Sequence, residues 1–281
     1  MTAATLPILD EIPETMLATL YIRALETQRP DALLKDDKAL ELFQKFGPAF
    51  ERMQGIRMDE EDRAAIVLRN REIDNVVRDF VARRQPVTVV HLGCGLDARF
   101  NRVDDGKLEW YDLDVPEVIE LRRQLLGGES PRYHLLAGSA FHHEWFSAVG
   151  GPQERAFLFV AEGVFQYFHA QQVRSLVVAL HQRFPGSEIV FDAFSPLVVH
   201  GNNLRMRISH LGVRYHWGIR NGKAIERWAE GIRLLSEWFP FSRPEPRLAR
   251  LQWIRRFPFL ARSIGVYHFR LGRPAGRSDE A

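Results

Sequence analysis

Cysteine is almost absent: the 281 residues contain one, Cys94, so no disulfide can form within the chain, as suits a reducing cytosol. The ten histidines form no cluster with metal-ligand spacing, His142 and His143 being simply adjacent, and no metal site is expected. Nowhere do ~20 apolar residues run together, which excludes a membrane-spanning helix of ordinary length. The first residues lack a charged region followed by an apolar run, so no signal peptide is expected and a cytoplasmic location is. Charge of one sign is also lacking. Lys and Arg number 38 against 36 Asp and Glu, a net charge of +2 that calls for neither nucleic acid nor a membrane as partner. The basic clusters at Arg255-Arg256 and from Arg270 to Arg277 read as solvated surface. There is no internal repeat and no low-complexity linker.

What is present centres on Val87-Thr88-Val89-Val90-His91-Leu92-Gly93-Cys94-Gly95-Leu96-Asp97-Ala98-Arg99. β-Prone residues give way to a glycine turn, and Trp110-Tyr111-Asp112-Leu113-Asp114 follows about 20 residues on, the layout of a nucleotide-binding half-site. The glycines let backbone approach a ligand, and an acid at the second strand's end accepts ribose hydroxyls. Read as Gly93-x-Gly95-x-x-Ala98, the turn satisfies a dinucleotide fingerprint. Read as Gly-x-Gly followed by Asp97, it suits S-adenosylmethionine, which has no pyrophosphate to seat. Cys94 lies between the glycines, where only a small side chain fits, and a catalytic thiol is not expected there.

Patterning along the chain separates these readings. Helices are expected over 13–26, 37–46 and 60–83, so some 85 residues precede the first nucleotide-type strand, where a dehydrogenase more usually starts with that strand. Strands over 87–92, 108–113, 132–137, 156–161 and 187–194 alternate with helices at 97–101, 116–126, 142–149 and 170–183, which implies a doubly wound α/β sheet. The tail adds a helical piece after Ser195, an aromatic stretch from Val213 to Ile219, a helix at 223–230, a strand over 232–238, a loop at 240–246, a helix at 247–257 and a last strand over 264–271. Seven mostly parallel strands in a Rossmann-like sheet are the expected fold. The expected layout is an N-terminal helical lid over 1–85, a Rossmann-like cofactor-binding domain over 86–272 with a substrate-lid insertion at 195–221, and a frayed tail at 273–281.

Five ordered segments carry a resemblance: ETMLATLYIRALE at 14–26, LRNREID at 68–74, HLGCGLDAR at 91–99, WYDLDVPEVI at 110–119 and FVAEGVFQY at 159–167. With these the chain resembles the class I S-adenosylmethionine-dependent methyltransferases of the leucine carboxyl methyltransferase superfamily, in its tetracenomycin-type polyketide O-methyltransferase branch. The resemblance spans residues 13–271 and implies S-adenosyl-L-methionine as cofactor. It implies that Arg69 grips the methionine carboxylate, that Gly93 and Gly95 pack against the methionyl part, and that Asp114 binds ribose. Ser139 and Ala140 fall where many relatives place an acid on the adenine amino group, and here that acid is missing. Asp112 reads as a surface or supporting position. Glu162, a carboxylate on an otherwise apolar strand, needs a partner, either the cofactor's cationic region or a structural salt bridge. As a residue of an open cleft, Arg69 is expected to add little to fold stability.

A carboxylate acceptor is already ionised at neutral pH and needs no general base, whereas a phenol would need one. Tyr167, Tyr21 and Arg23 are the candidate acceptor residues, with His210, Arg214 and Trp217 behind them; His169 reads as a surface histidine. The expected function is O-methyl transfer to a small-molecule acceptor, a polyketide-like or other secondary-metabolite carboxylate. Phenolic O-methylation, carboxyl methylation of a protein C-terminus and a non-catalytic cofactor-binding module remain as alternatives.

Overall fold

The computed structural model describes residues 14–46, 58–151, 155–209 and 214–272. Helices α1 (Glu14–Thr27), α2 (Asp37–Phe46) and α3 (Glu60–Arg83) come first, followed by strand β1 (Val87–Leu92). Then follow α4 (Arg99–Val103), β2 (Glu109–Asp114), α5 (Pro116–Leu126), β3 (Tyr133–Ala137), β4 (Ala156–Ala161), α6 (Ala170–Arg183) and β5 (Ser187–Phe194). Helix α7 (Pro196–Ser209), β6 (Ile232–Trp238), the one-turn α8 (Pro258–Ala261) and β7 (Ile264–Leu271) complete the described chain. The strands form one seven-stranded sheet in the order β3-β2-β1-β4-β5-β7-β6, in which β7 runs antiparallel to both neighbours.

Strand alternation sends side chains to two apolar layers. Val87, Val89, Leu158, Val160 and Val190 face α3, whose Ile73, Val76, Val77, Phe80 and Val81 recur at helical spacing. Val90, Leu92, Phe157, Phe159, Ile189 and Phe191 face the opposite way, against Val173, Leu176, Val177 and Leu180 of α6. Fully burying a side chain of this kind stabilises by roughly 1.5–3 kcal/mol, so these two layers hold the sheet. A third cluster joins Leu17, Leu20 and Ala24 of α1 and Ala39, Leu42 and Phe46 of α2 to Leu96, the residue after the second turn glycine. The N-terminal helices are thereby fastened to the glycine turn itself.

Three expected helices take another form. His143–Ser147, Gly222–Trp228 and Pro246–Arg256 are 3-10 turns, the last broken by non-helical backbone at Leu248. Pro258 bars its predecessor from the helical region, and Phe257 is extended accordingly (φ −119°, ψ 93°). Val213 and the expected tails at 1–10 and 273–281 lie outside the described residues, as does His210.

Candidate active site

Between β1 and β4 the strand order reverses, and the crevice beyond the strand C-termini at such a point is where open α/β sheets bind ligands. The glycine turn lies at this edge. Gly93 and Gly95 hold φ of +66° and +50°, conformations that L side chains rarely adopt, and a Cβ at Gly93 would come within 2.5 Å of Val164. The Gly93 N–H donates to Leu113 O (2.8 Å) and the Gly95 N–H to Asp114 Oδ2 (2.8 Å). Asp114 also accepts from the Val115 N–H through Oδ1 (2.8 Å), so its carboxylate is clamped at the tip of β2. Burial pushes the Asp114 carboxyl upward, against the pull of those amides.

Asp112, two residues earlier, is no surface residue: of its two expected places it takes the supporting one, buried and anchoring a polar cluster. It accepts from Trp110 Nε1 (2.8 Å), Tyr133 Oη (2.7 Å) and Arg122 Nη2. Arg122 in turn donates through Nη1 to Gly95 O (2.6 Å) and Asp97 O (3.0 Å), fixing the carbonyls of the turn from below. Neutral, buried Cys94 has its thiol pushed well above the usual range by that burial.

Arg69 extends from α3 to the ends of β4 and β5. Its Nε and Nη2 donate to Glu162 Oε1 (3.1 and 2.8 Å) and its Nη1 to Asp192 Oδ2 (3.1 Å). Only 8% exposed, Arg69 is a buried ion-pair member rather than a bystander in an open cleft, which overturns the expectation that it adds little to stability. Glu162 finds its partners within the protein: Oε1 meets Arg69 and Oε2 meets Arg99. From there the network continues through Arg99 to Asp74 (2.8 Å) and Asp97 (3.0 Å), through Arg102 to Asp74, Asp97 and Asp36, and ends at Arg23. Four buried arginines thus interleave with five carboxylates, and half-exposed Arg78 adds a fifth guanidinium 3.9 Å from Asp74. Burial alone would raise the Glu162 carboxyl, but Arg69 and Arg99 overcome it and hold it down at about 2. Burial and the neighbouring Glu162 charge push Asp192 the other way, against Arg69.

A carboxyl held below its ordinary value near 4.5 stabilises the fold fully above pH ~4.5, and that contribution is lost as pH falls through 4.5 toward 2. Thermal melts between pH 6 and 2.5 are expected to show stability falling across this window. In Glu162→Gln the fall should be shallower, while a slope equal to the parent's would show that Glu162 is not so held.

The remaining expected residues are placed as follows. Tyr167 ends a 3-10 turn, Phe165–Tyr167, directly after the Glu162 segment, and lies within electrostatic reach of Arg69. It lies against Tyr215, a residue that sequence reading did not single out; their rings are 5.3 Å apart. Burial and then Tyr167 push the Tyr215 hydroxyl well above its ordinary range, so it is a neutral donor at physiological pH. Asn203 of α7 grips the backbone of Tyr215 on both sides, accepting its N–H (2.8 Å) and donating to its carbonyl (2.7 Å). Arg23 is fully engaged elsewhere in purpose, its Nε on Asp36 (2.8 Å) and its Nη2 on Leu96 O (3.2 Å), a geometry that ties α1 to the glycine turn. Tyr21 stacks at a tilt on Phe43 (5.7 Å) in the α1–α2 cluster. Ser139 Oγ accepts the Phe141 N–H (3.2 Å), and Ala140 is buried beside Trp145, both just past β3. Trp217 is buried against Phe165 and Phe191, Arg214 is exposed, and His169 is the N-cap of α6.

A sheet of this order, with an antiparallel β7 between β5 and β6 and a glycine turn at the switch, is the class I methyltransferase fold. The chain belongs to the leucine carboxyl methyltransferase family, whose profile matches residues 16–181. It is 32% identical over 237 residues to the tetracenomycin polyketide synthesis O-methyltransferase of Streptomyces glaucescens, covering 84% of this chain and 86% of that protein. An S-adenosyl-L-methionine-dependent methyltransferase of Gibberella zeae is 27% identical over 261 residues, 87% of each chain. Among solved structures, a candidate methyltransferase from Thermobifida fusca superposes with a TM-score of 0.61 at 15% identity, over 97% of this chain and 100% of that one, a likeness of fold. S-Adenosylmethionine is the cofactor of this methyltransferase. No described helix is long and apolar enough to cross a membrane.

Proposed function

We propose that the protein transfers a methyl group from S-adenosylmethionine to an oxygen of a small-molecule carboxylate, polyketide-like or of another secondary metabolite. When bound, the cofactor supplies an electrophilic methyl on a sulfonium. The residues fit it. Arg69 has five N–H groups, three of them committed to Glu162 and Asp192, which leaves one on each Nη to fork a methionyl carboxylate. The positive-φ turn at Gly93 and Gly95 keeps side chains out of the ligand's path, and each Asp114 oxygen retains a lone pair for a ribose hydroxyl. Ser139 and Ala140 are assigned to the adenine side, at the end of β3.

The acceptor reading rests on one observation: the Tyr167–Tyr215 ring pair, 5.3 Å apart and within electrostatic reach of Arg69. The neutral Tyr215 hydroxyl, with Tyr167 beside it, orients an ionised carboxylate without removing a proton, and alignment of the acceptor oxygen supplies much of the rate. In this reading α1 to α3 and residues 195–221 form the lid, and Tyr21 lines its outer part, whereas Arg23 holds the lid in place. A phenolic acceptor is the second reading. His169 and His216 pair next to the two tyrosines (ring centroids 4.3 Å), and burial and then His169 lower the His216 imidazole, leaving a neutral base.

The pH profile of kcat/KM separates the two. A carboxylate acceptor predicts a rate level from pH 6.5 to 8.5, a phenol a rate that rises with pH. Tyr167→Phe and Tyr215→Phe should each lower turnover roughly tenfold or more, as expected for a lost hydrogen bond to a charged group, with S-adenosylhomocysteine affinity within about twofold of the parent. Parent-like turnover in both would remove the pair from the acceptor site.

A further inference from the structure

The segment 246–262 carries five arginines and no acid. Its inner side is fully used: Leu248, Leu251, Ile254 and Ala261 pack on Ala64, Ala65 and Leu68 of α3 and on Phe241. Arg247 fixes it further through Glu26 (3.0 Å) and Glu60 (2.7 Å). On its outer side Trp253, Phe257 and Phe259 stand 53%, 45% and 63% exposed, their rings in consecutive contact at 6.1 and 6.3 Å. Exposed arginines Arg250, Arg255 and Arg256 border them, and an open depression lined by Ser242, Gln252, Trp253, Arg255 and Arg256 lies alongside. The double arginine that reads in sequence as solvated surface is therefore joined to an aromatic ridge.

We infer that this ridge is a docking face for an anionic lipid surface. Aromatic side chains with an apolar body, ringed by guanidinium groups, match the boundary between headgroup and acyl chain. The arginines in the depression suit a headgroup phosphate. The rings are exposed, and of the three only Trp253 borders the depression, so they can enter a lipid interface without a shaped counterpart. A symmetric pairing with a second copy would set like charges, Arg255 and Arg256, against themselves, which disfavours it. The contact is peripheral and requires no membrane-spanning helix.

The test uses the full chain and vesicles of phosphatidylcholine alone or with 30% phosphatidylglycerol, read by co-sedimentation at low salt. Binding is expected to the anionic vesicles only, and to fade as salt rises. Arg255→Ala and Arg256→Ala should each weaken it about fivefold, the equivalent of ~1 kcal/mol per basic residue near an anionic surface. Trp253→Ser with Phe257→Ser should abolish it, while S-adenosylhomocysteine binding, as a check on folding, stays unchanged. Equal partition into both vesicle types, no partition into either, or partition indifferent to these substitutions would overturn the inference. So would self-association of the parent that the same substitutions abolish, which would assign the ridge to a second copy.

Discussion

Arg99→Ala is expected to lose about 3–5 kcal/mol of stability, the cost of breaking a buried ion pair from one side. Arg99 is fully buried, and its guanidinium is the shared partner of Asp74, Asp97 and Glu162. Removing it leaves three carboxylates crowded in a low-dielectric space, offset by Arg69, Arg102 and, from the surface, Arg78. For a chain of this size the melting temperature should fall by on the order of 10 °C. The comparison variant is Arg78→Ala, whose guanidinium is about half exposed and 3.9 Å from Asp74. It should change stability by less than about 0.5 kcal/mol, as exposed pairs usually do. Equal, small effects from both substitutions in thermal or urea unfolding would mean that the network is not holding α3, α4 and β4 together.

Arg69→Lys is expected to weaken cofactor binding by about 1.5–3 kcal/mol, roughly 10- to 150-fold in Kd. Lysine keeps a positive charge between Glu162 and Asp192, so the fold should survive better than in Arg69→Ala. An ammonium is a point charge, however, and it cannot bridge two carboxylates and present a planar fork to a third. Calorimetric titration of the folded variant with S-adenosylhomocysteine reads the effect. Parent-like affinity would show that the methionyl carboxylate is held elsewhere.

The frame of this site was legible in the sequence because its signals are local. A β-branched run into Gly93-Cys94-Gly95, then Asp114 one strand later, lies within 30 residues, and periodicity alone set the α3 face that carries Arg69 beside Ile73, Val76 and Val77. Strand boundaries moved by a residue: β2 is Glu109–Asp114 and β3 is Tyr133–Ala137. What was not legible is the pairing of charges distant in sequence. Nothing around Arg99 and Arg102 on their short helix marks their partners, which are Asp74 of α3 and Asp36 just before α2. Asp192 did leave a signal, a lone carboxylate in the otherwise apolar run from Ile189 to Phe194, the same anomaly that singled out Glu162. Tyr215 left none, since its position depends on Asn203 gripping a loop whose path no periodicity describes. The 3-10 turns of the tail follow the same rule: Pro246, Pro258 and a kink at Leu248 decide them, over an otherwise helix-compatible composition.

The most direct test is a crystal structure of the protein with S-adenosylhomocysteine. The account predicts the methionyl carboxylate on the Nη1–Nη2 edge of Arg69, the ribose hydroxyls on Asp114, backbone of Gly93 and Gly95 against the ligand, and the sulfur turned toward Tyr167 and Tyr215. A ligand bound away from the β1–β4 crevice, or bound there with its carboxylate remote from Arg69, would contradict it.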